Sequence, residues 1–208
     1  MDEALVPKYT LPDPLRFEDG SPVVSAADWT RRRAELLGIF ASQVHGKNPV
    51  GKPDEMRFEP RKRVEGFLDG RATLEEIRIH FSAKDDGPHL DLLVIKPASI
   101  PEGGVPVFLT LNFNGNHSIH PSPEISLSSS WMRPNQEDEK AGHIVNNRAT
   151  EASRGAKAAG WPVEMIIDAG VALATFYYGD VDPDVDDGFK NGIHALFGKP
   201  ADLSERIA

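Results

Sequence analysis

Two nearly unbroken apolar runs constrain this chain more than anything else in it. They are Val105-Pro106-Val107-Phe108-Leu109-Thr110-Leu111-Asn112-Phe113 and Val171-Ala172-Leu173-Ala174-Thr175-Phe176-Tyr177-Tyr178. Runs of this length without polar alternation predict strands buried on both faces. Residues 151–169 between them read as a helix interrupted near Trp161-Pro162, with Val163, Ile166 and Ile167 on its buried side and Gly170 ending it. A buried strand, a crossing helix and another buried strand make a right-handed βαβ unit with parallel strands. Two further strands precede the unit. Leu74, Ile77, Ile79 and Phe81 largely alternate with polar residues, and Leu90 with Leu92 to Ile95 forms the next run, ended by Pro97. The short turn Asp85-Asp86-Gly87-Pro88 makes this pair antiparallel. The expected class is therefore α/β: an antiparallel edge pair followed by parallel strands. A further helix and the central strand would come next in such a sheet, so the last strand is expected to lack a neighbour.

The remainder is more irregular. Pro7, Pro12, Pro14 and Pro22 keep residues 1–24 from forming a regular helix, while Leu5, Tyr9, Leu11, Leu15 and Phe17 offer apolar anchors. These residues are expected to form an extended arm, with residues 25–208 forming the domain proper. Ser25 is placed to cap a helix, Asp28 sits at the capping-box position, and Trp29, Leu36, Leu37, Phe40 and Val44 recur at helical spacing up to Gly46. Residues 47–72 read as loop with a short extended segment near Phe58. The polar stretch 114–150 reads as a long functional loop. Residues 202–208 read as a loop leading into a helix.

Composition excludes several functions. With 23 Lys+Arg against 32 Asp+Glu, the formal net charge is −9 over 208 residues. Such a chain is poorly suited to displacing counterions from nucleic acid or to binding an anionic membrane surface. No apolar run approaches the roughly 20 residues needed to span a bilayer, and no signal peptide is visible at Met1-Asp2-Glu3-Ala4. The absence of cysteine removes thiol nucleophiles, thiolate metal ligands and disulfides together. No G-x-S-x-G, Walker A, strand-linked G-x-G-x-x-G or H-E-x-x-H pattern occurs.

Two segments could carry chemistry. The first is Asn112-Phe113-Asn114-Gly115-Asn116-His117, at the carboxyl end of an expected strand, where ligands bind in open α/β sheets. Gly115 would let backbone approach a ligand, and free N–H groups there could stabilise an oxyanion. The same residues equally suit a tight turn whose Asn side chains satisfy backbone groups. His117 and His120, with Glu124 nearby, have no third ligand at characteristic spacing, so hydrogen-bonding loop histidines are the plainer reading. The second segment is the acidic loop Gly179-Asp180-Val181-Asp182-Pro183-Asp184-Val185-Asp186-Asp187-Gly188. Its alternating carboxylates suggest calcium, yet counting from Asp182 puts Asp187 where an EF-hand has Gly and Ile193 where it has Glu. Asp180, the first to leave the strand, is the candidate for pocket architecture.

The ordered set Tyr9-Thr10-Leu11-Pro12-Asp13-Pro14-Leu15, the helix from Trp29 to His45-Gly46, Leu111-Asn112-Phe113-Asn114-Gly115-Asn116-His117, Gly160-Trp161-Pro162-Val163-Glu164, Tyr177-Tyr178-Gly179-Asp180-Val181-Asp182-Pro183-Asp184 and Asp187-Gly188-Phe189-Lys190-Asn191-Gly192-Ile193-His194 resembles the N-terminal half of the glucuronoyl esterase family, in its bacterial, acetylxylan esterase-like branch. The resemblance implies an α/β-hydrolase fold. It implies a serine carboxylic ester hydrolase, secreted or periplasmic, that cleaves glucuronate esters of plant cell-wall xylan in lignocellulose through a Ser-His-acid triad, with no cofactor and no metal. In that family the nucleophile sits in a Gly-x-Ser-Arg-x-Gly-Lys-type turn downstream of the Tyr-Tyr-Gly-Asp loop, and the acid and histidine follow it. Ala208 comes before all three, so no catalytic residue falls in this span and the span alone is expected to be inactive. Asn114, Gly115, Asn116, His117 and Asp180 are the expected substrate- or oxyanion-side residues. The expected partners are a carbohydrate ester and the missing C-terminal half, as a further segment or a separate chain; neither nucleic acid nor membrane is expected. The alternatives are a non-catalytic carbohydrate- or calcium-binding module and a domain that self-associates through an exposed sheet edge.

Overall fold

A computed structural model describes residues 2–46, 51–188 and 190–196. The chain divides into two compact units, one running to Gly51 and one beginning at Lys52. The expected helix at 202–208 lies outside the described residues.

In the first unit, helix α1 (Ala26–Gln43) starts where the cap residues require. The Ser25 hydroxyl accepts from the Asp28 N–H at 3.1 Å, and the Asp28 carboxylate accepts from the Ser25 hydroxyl and the Val24 N–H. One orphan N–H of the first turn, that of Asp28, is thus satisfied, and the backbone entering the helix is pinned at Val24. The preceding arm is extended, but its apolar residues are not its anchors: Leu5, Tyr9, Leu11 and Leu15 are all more than half exposed. Charged groups of α1 hold the end of the arm instead. Arg32, itself buried and paired with Glu35, donates to the Pro14 carbonyl, the Glu35 carboxylate accepts from the Glu18 N–H, and the Arg31 guanidinium lies 4.8 Å from the centre of the Phe17 ring.

The second unit is built on a five-stranded mixed sheet. In chain order come β1 (Arg57–Phe67), β2 (Ala72–His80), β3 (His89–Pro97) and β4 (Val107–Asn112). After helix α2 (Gln136–Lys140), the short strands β5 (Ile144–Val145) and β6 (Arg148–Ala149) form a separate hairpin. Helix α3 (Val163–Asp168), strand β7 (Ala172–Tyr177) and the one-turn helix α4 (Tyr178–Val181) follow. The large sheet has the order β1-β2-β3-β7-β4. The first three strands are antiparallel, β7 pairs antiparallel with β3, and β7 and β4 are parallel, as the βαβ pattern requires. The core comprises Leu74, Leu93, Ile95 and Leu173 from neighbouring strands, with Ile119 and Ile125 from the long connection and Val163 and Ile167 from α3. No helix among the described residues is long and apolar enough to cross a membrane.

The second unit departs from the sequence reading in five places. Residues 57–67 form an eleven-residue strand rather than loop. Its apolar alternation is masked by charge because it is an edge strand, interrupted by a bulge between Pro60 and Lys62. The 114–150 stretch is not structureless: it holds a 3₁₀ turn (Asn116–Ser118), α2 and the β5–β6 hairpin, whose Asn146 and Asn147 both have positive φ. The expected helix over 151–169 is three pieces, 3₁₀ turns at Glu151–Ser153 and Ala158–Gly160 and then α3. The run around β4 is not buried on both faces. Val107, Phe108, Leu109 and Leu111 are 53%, 59%, 67% and 42% exposed, and Phe113 just beyond is 69% exposed. Finally, β7 does not lack a neighbour, since it is flanked by β3 and β4; the open edge is β4.

Candidate functional site at the carboxyl ends of β4 and β7

Gly115 turns the chain away from β4 at φ +83°, a conformation that L side chains rarely adopt. A Cβ there would also lie 2.6 Å from the His117 ring and 2.7 Å from the end of Met132. The turn brings Asn116 back beneath the end of the strand. The Asn112 amide donates to the Asn116 side-chain oxygen at 2.8 Å and to the Thr175 hydroxyl at 3.2 Å, and the Asn116 amide donates to the Asp91 carbonyl at 2.8 Å. This relay of amides ties β4, β7 and β3 together at one end of the sheet.

Asp180 completes the same corner. One carboxylate oxygen accepts from the Ser130 hydroxyl at 2.5 Å, and the other from the Asp91 N–H at 3.2 Å. Burial pushes the Asp180 carboxyl above the usual carboxylate range, while these two donors act in the opposite direction. The Asp91 side chain pairs bidentately with Arg78 at 2.7 and 2.8 Å across the β2–β3 register. These hydrogen bonds, donated to Asp91, hold the Arg78 guanidinium pKa above its ordinary value.

A cavity of about 290 Å³ opens at this corner. Asn116, Asp180, Arg78, Asp91 and Tyr177 line it, together with Arg61, Lys62 and Glu76 and the serine-rich segment 126–129. That segment is strapped down from three directions. Glu76 accepts from the Ser126 N–H and hydroxyl, Lys62 donates to the Glu124 carbonyl, and Asp180 holds Ser130. The Tyr177 hydroxyl donates to the Trp131 carbonyl at 3.2 Å. Burial, foremost, pushes its pKa up.

Of the five residues singled out in the sequence, Asn116 and Asp180 therefore line one cavity, and Gly115 shapes the turn that brings Asn116 there. Asn114 lies instead at a small crevice beside Ser118, Met132 and Ser153. His117 is fully buried behind the turn. Its Nδ1 accepts from the Ser128 N–H at 3.4 Å, so Nε2 carries the proton and donates to the Ser153 hydroxyl at 2.7 Å, which in turn donates to the Thr150 carbonyl. Burial, with the nearby Arg154 charge, lowers its pKa to about 4, so the ring is neutral near pH 7. His120 points elsewhere: its ring bonds Glu164 at 3.2 Å and accepts from the Ser122 N–H. The acidic loop does not converge on a point either. Asp180 faces inward, Asp182 reaches His194, Asp184 pairs with Arg133, and Asp187 caps the Lys190 N–H. Among the described residues no group of three potential ligands stands around a common centre.

Sequence reasoning missed Arg78, Asp91 and Glu76. Arg78 and Asp91 sit on adjacent strands at alternating positions, which read as ordinary solvent-facing charge. Only the register that sets them opposite each other reveals the pair.

Comparison with known proteins bears on this corner. No family model matches the chain. A curated carbohydrate esterase, MZ0003, from an unknown prokaryotic organism is 46% identical over 199 residues, covering 95% of this chain and 44% of the relative. A promiscuous CE15 esterase from a marine bacterial metagenome has a solved structure with a TM-score of 0.76 and 45% identity, covering 94% of this chain and 47% of that one. Over nearly all of its own length this chain is similar to CE15 esterases. A glucuronoyl esterase from Solibacter usitatus aligns with a TM-score of 0.79 at 39% identity, over 96% of this chain and 48% of its own. A short stretch of 39 residues is also 46% identical to a 4-O-methyl-glucuronoyl methylesterase of Schizophyllum commune. The chain thus spans about half the length of the relatives it matches. The mixed sheet is part of an α/β-hydrolase sheet, as the resemblance implied.

Proposed function

We propose that this chain supplies the N-terminal half of a serine carboxylic ester hydrolase acting on glucuronate esters of plant cell-wall xylan. The reading rests on the 46% identity to a carbohydrate esterase over nearly the whole chain. One structural observation carries it further: β4 is an apolar strand with an exposed free edge among the described residues, adjacent to the turn at Gly115. In an α/β-hydrolase the nucleophile lies on a strand-to-helix turn at the carboxyl end of the sheet. A strand from the remaining half, paired along β4, would set that turn next to Asn114, Gly115 and Asn116. In that arrangement the backbone N–H groups of this turn would receive the oxyanion of an acyl-transfer step, and Asn116 and Asp180 would line the substrate side. His117 supports the turn from behind: with Nδ1 accepting and Nε2–H committed to Ser153, it is held as a neutral prop rather than as the base. The triad lies outside the span, and the enzyme works in a secreted or periplasmic setting on lignocellulose.

The test is reassembly. The 208-residue chain alone should not turn over glucuronate esters, and mixing or co-expressing it with the remaining half should restore turnover. Esterase activity in the chain alone, surviving repurification, would overturn the reading.

A further inference from the structure

The cavity at the corner of β2, β3 and β7 has a charge pattern that narrows what it can hold. Three cations, Arg61, Lys62 and Arg78, and three carboxylates, Glu76, Asp91 and Asp180, line it, so its wall carries no net formal charge. The charges are also already matched. Arg61 pairs with Glu59, Lys62 with Glu124, and Arg78 with Asp91, while Glu76 and Asp180 accept from Ser126, Ser130 and the Asp91 N–H. An anionic ligand could reach the uncommitted guanidinium nitrogen of Arg78 but would sit beside the carboxylates of Glu76, Asp91 and Asp180, a cost that a neutral ligand does not meet.

What the wall still offers is hydrogen bonding of both kinds at fixed positions. Arg78 gives Nε and one terminal nitrogen to Asp91, leaving its second terminal nitrogen as a donor without a protein partner among the described residues. The carboxylates of Asp91 and Asp180 keep lone pairs beyond those already used. The segment Ser126 to Ser129 adds hydroxyl and backbone groups along the rim. A sugar hydroxyl both donates and accepts, so several on one ring fit a wall that alternates rigid acceptors with rigid donors. The volume of about 290 Å³ is at the low end for small-molecule sites, which run roughly 300–1,000 Å³, and suits one ring rather than a chain.

We propose that this cavity is a subsite for a single neutral pyranose unit of a polysaccharide, recognised by Arg78, Asp91, Asn116 and Asp180 beneath the strapped serine segment. The ligand class rests on the carbohydrate esterase reading above; the preference for a neutral over an acidic sugar does not, since it follows from the matched charges.

Titration of the full-length enzyme with xylobiose and, separately, with free glucuronate, followed by saturation-transfer NMR and calorimetry, tests it. Xylobiose should bind, and glucuronate should bind at this cavity at least tenfold more weakly. Ser129→Trp, which fills the cavity without removing a charge partner, should abolish the xylobiose signal. Arg78→Gln should weaken it at least fivefold, with circular dichroism confirming that both variants are folded. Xylobiose binding unaffected by both variants, or glucuronate binding lost on Ser129→Trp and as tight as xylobiose, would overturn the proposal. Absence of xylobiose binding in an enzyme that still hydrolyses glucuronate esters would defeat this subsite alone. Binding that persists in a protein without esterase activity would defeat the esterase reading and leave the subsite standing.

Discussion

The sheet of the second unit has two edges, and they are built in opposite ways. Strand β1 carries the charged residues Glu59, Arg61, Lys62, Arg63 and Glu65, with Pro60 and a bulge interrupting the ladder. Arg63 pairs with Glu65 on its own strand and with Glu75 across the β2 register, and Arg61 pairs with Glu59. Those are the features by which proteins blunt a terminal strand against unwanted pairing. Along β4 there is none of this. Val107, Phe108, Leu109 and Leu111 lie exposed with no charge between them. One edge is finished for water and the other has the composition of an interior strand. The contrast shows that burial predicted from an apolar run is a statement about the whole sheet and not about the strand alone.

That contrast can be broken experimentally. The largest effect should come from β4. A charge placed at Leu109, as in Leu109→Lys, should keep the isolated chain from aggregating but reduce turnover after reassembly with the remaining half by up to about 10⁶-fold, the scale of losing a complete triad. Light scattering and an ester-hydrolysis assay read the two arms, and undiminished turnover would show that β4 is a true outer edge. Next comes Gly115→Ala at the end of that strand. The strained φ and the approach to His117 should together cost on the order of 3 kcal/mol, read as a drop in the denaturant midpoint. A neutral substitution would mean that the turn relaxes freely.

A smaller effect lies behind the turn. His117 titrates at about 4 in the folded chain and at about 6.5 when unfolded. Between these values the unfolded chain binds the extra proton, so the contribution of His117 to stability is full above about pH 6.5 and falls as pH drops toward 4. The difference amounts to about 3 kcal/mol. Replacing His117 with Gln should flatten the stability profile between pH 4 and 6.5 relative to wild type, and an unchanged slope would reject a buried neutral ring. The smallest effect should come from β1. Replacing Lys62 and Arg63 together with Val should scarcely move the unfolding midpoint, because exposed ion pairs contribute little, yet it should make that edge prone to self-association on size-exclusion chromatography. If β1 stays monodisperse without its charges, the bulge and Pro60 alone protect it.

Much of the sheet was legible in the sequence because its signals are local. The capped helix at Ser25, the turn at Asp85-Asp86-Gly87-Pro88 and the strand–helix–strand order around α3 each depend on neighbouring residues, and each occurs where expected. The strand β1 was not legible, since its stabilising partners lie across the sheet on β2 and at Glu124. The site was half legible. Position at a strand end drew attention to Asn116 and Asp180, whereas Arg78 and Asp91 depend on a pairing between strands that no spacing announces.

The sequence by itself determined the order of the elements, the parallel β4–β7 pair, the absence of thiol chemistry and the likeness to glucuronoyl esterases, because periodicity, turn residues and motif order are all carried along the chain. Only the tertiary structure decided which strand forms the open edge, that His117 is a buried neutral prop, and that Arg78, Asp91, Asn116 and Asp180 face one cavity. Those are facts of register and burial, and they exist only once residues distant in sequence are brought together.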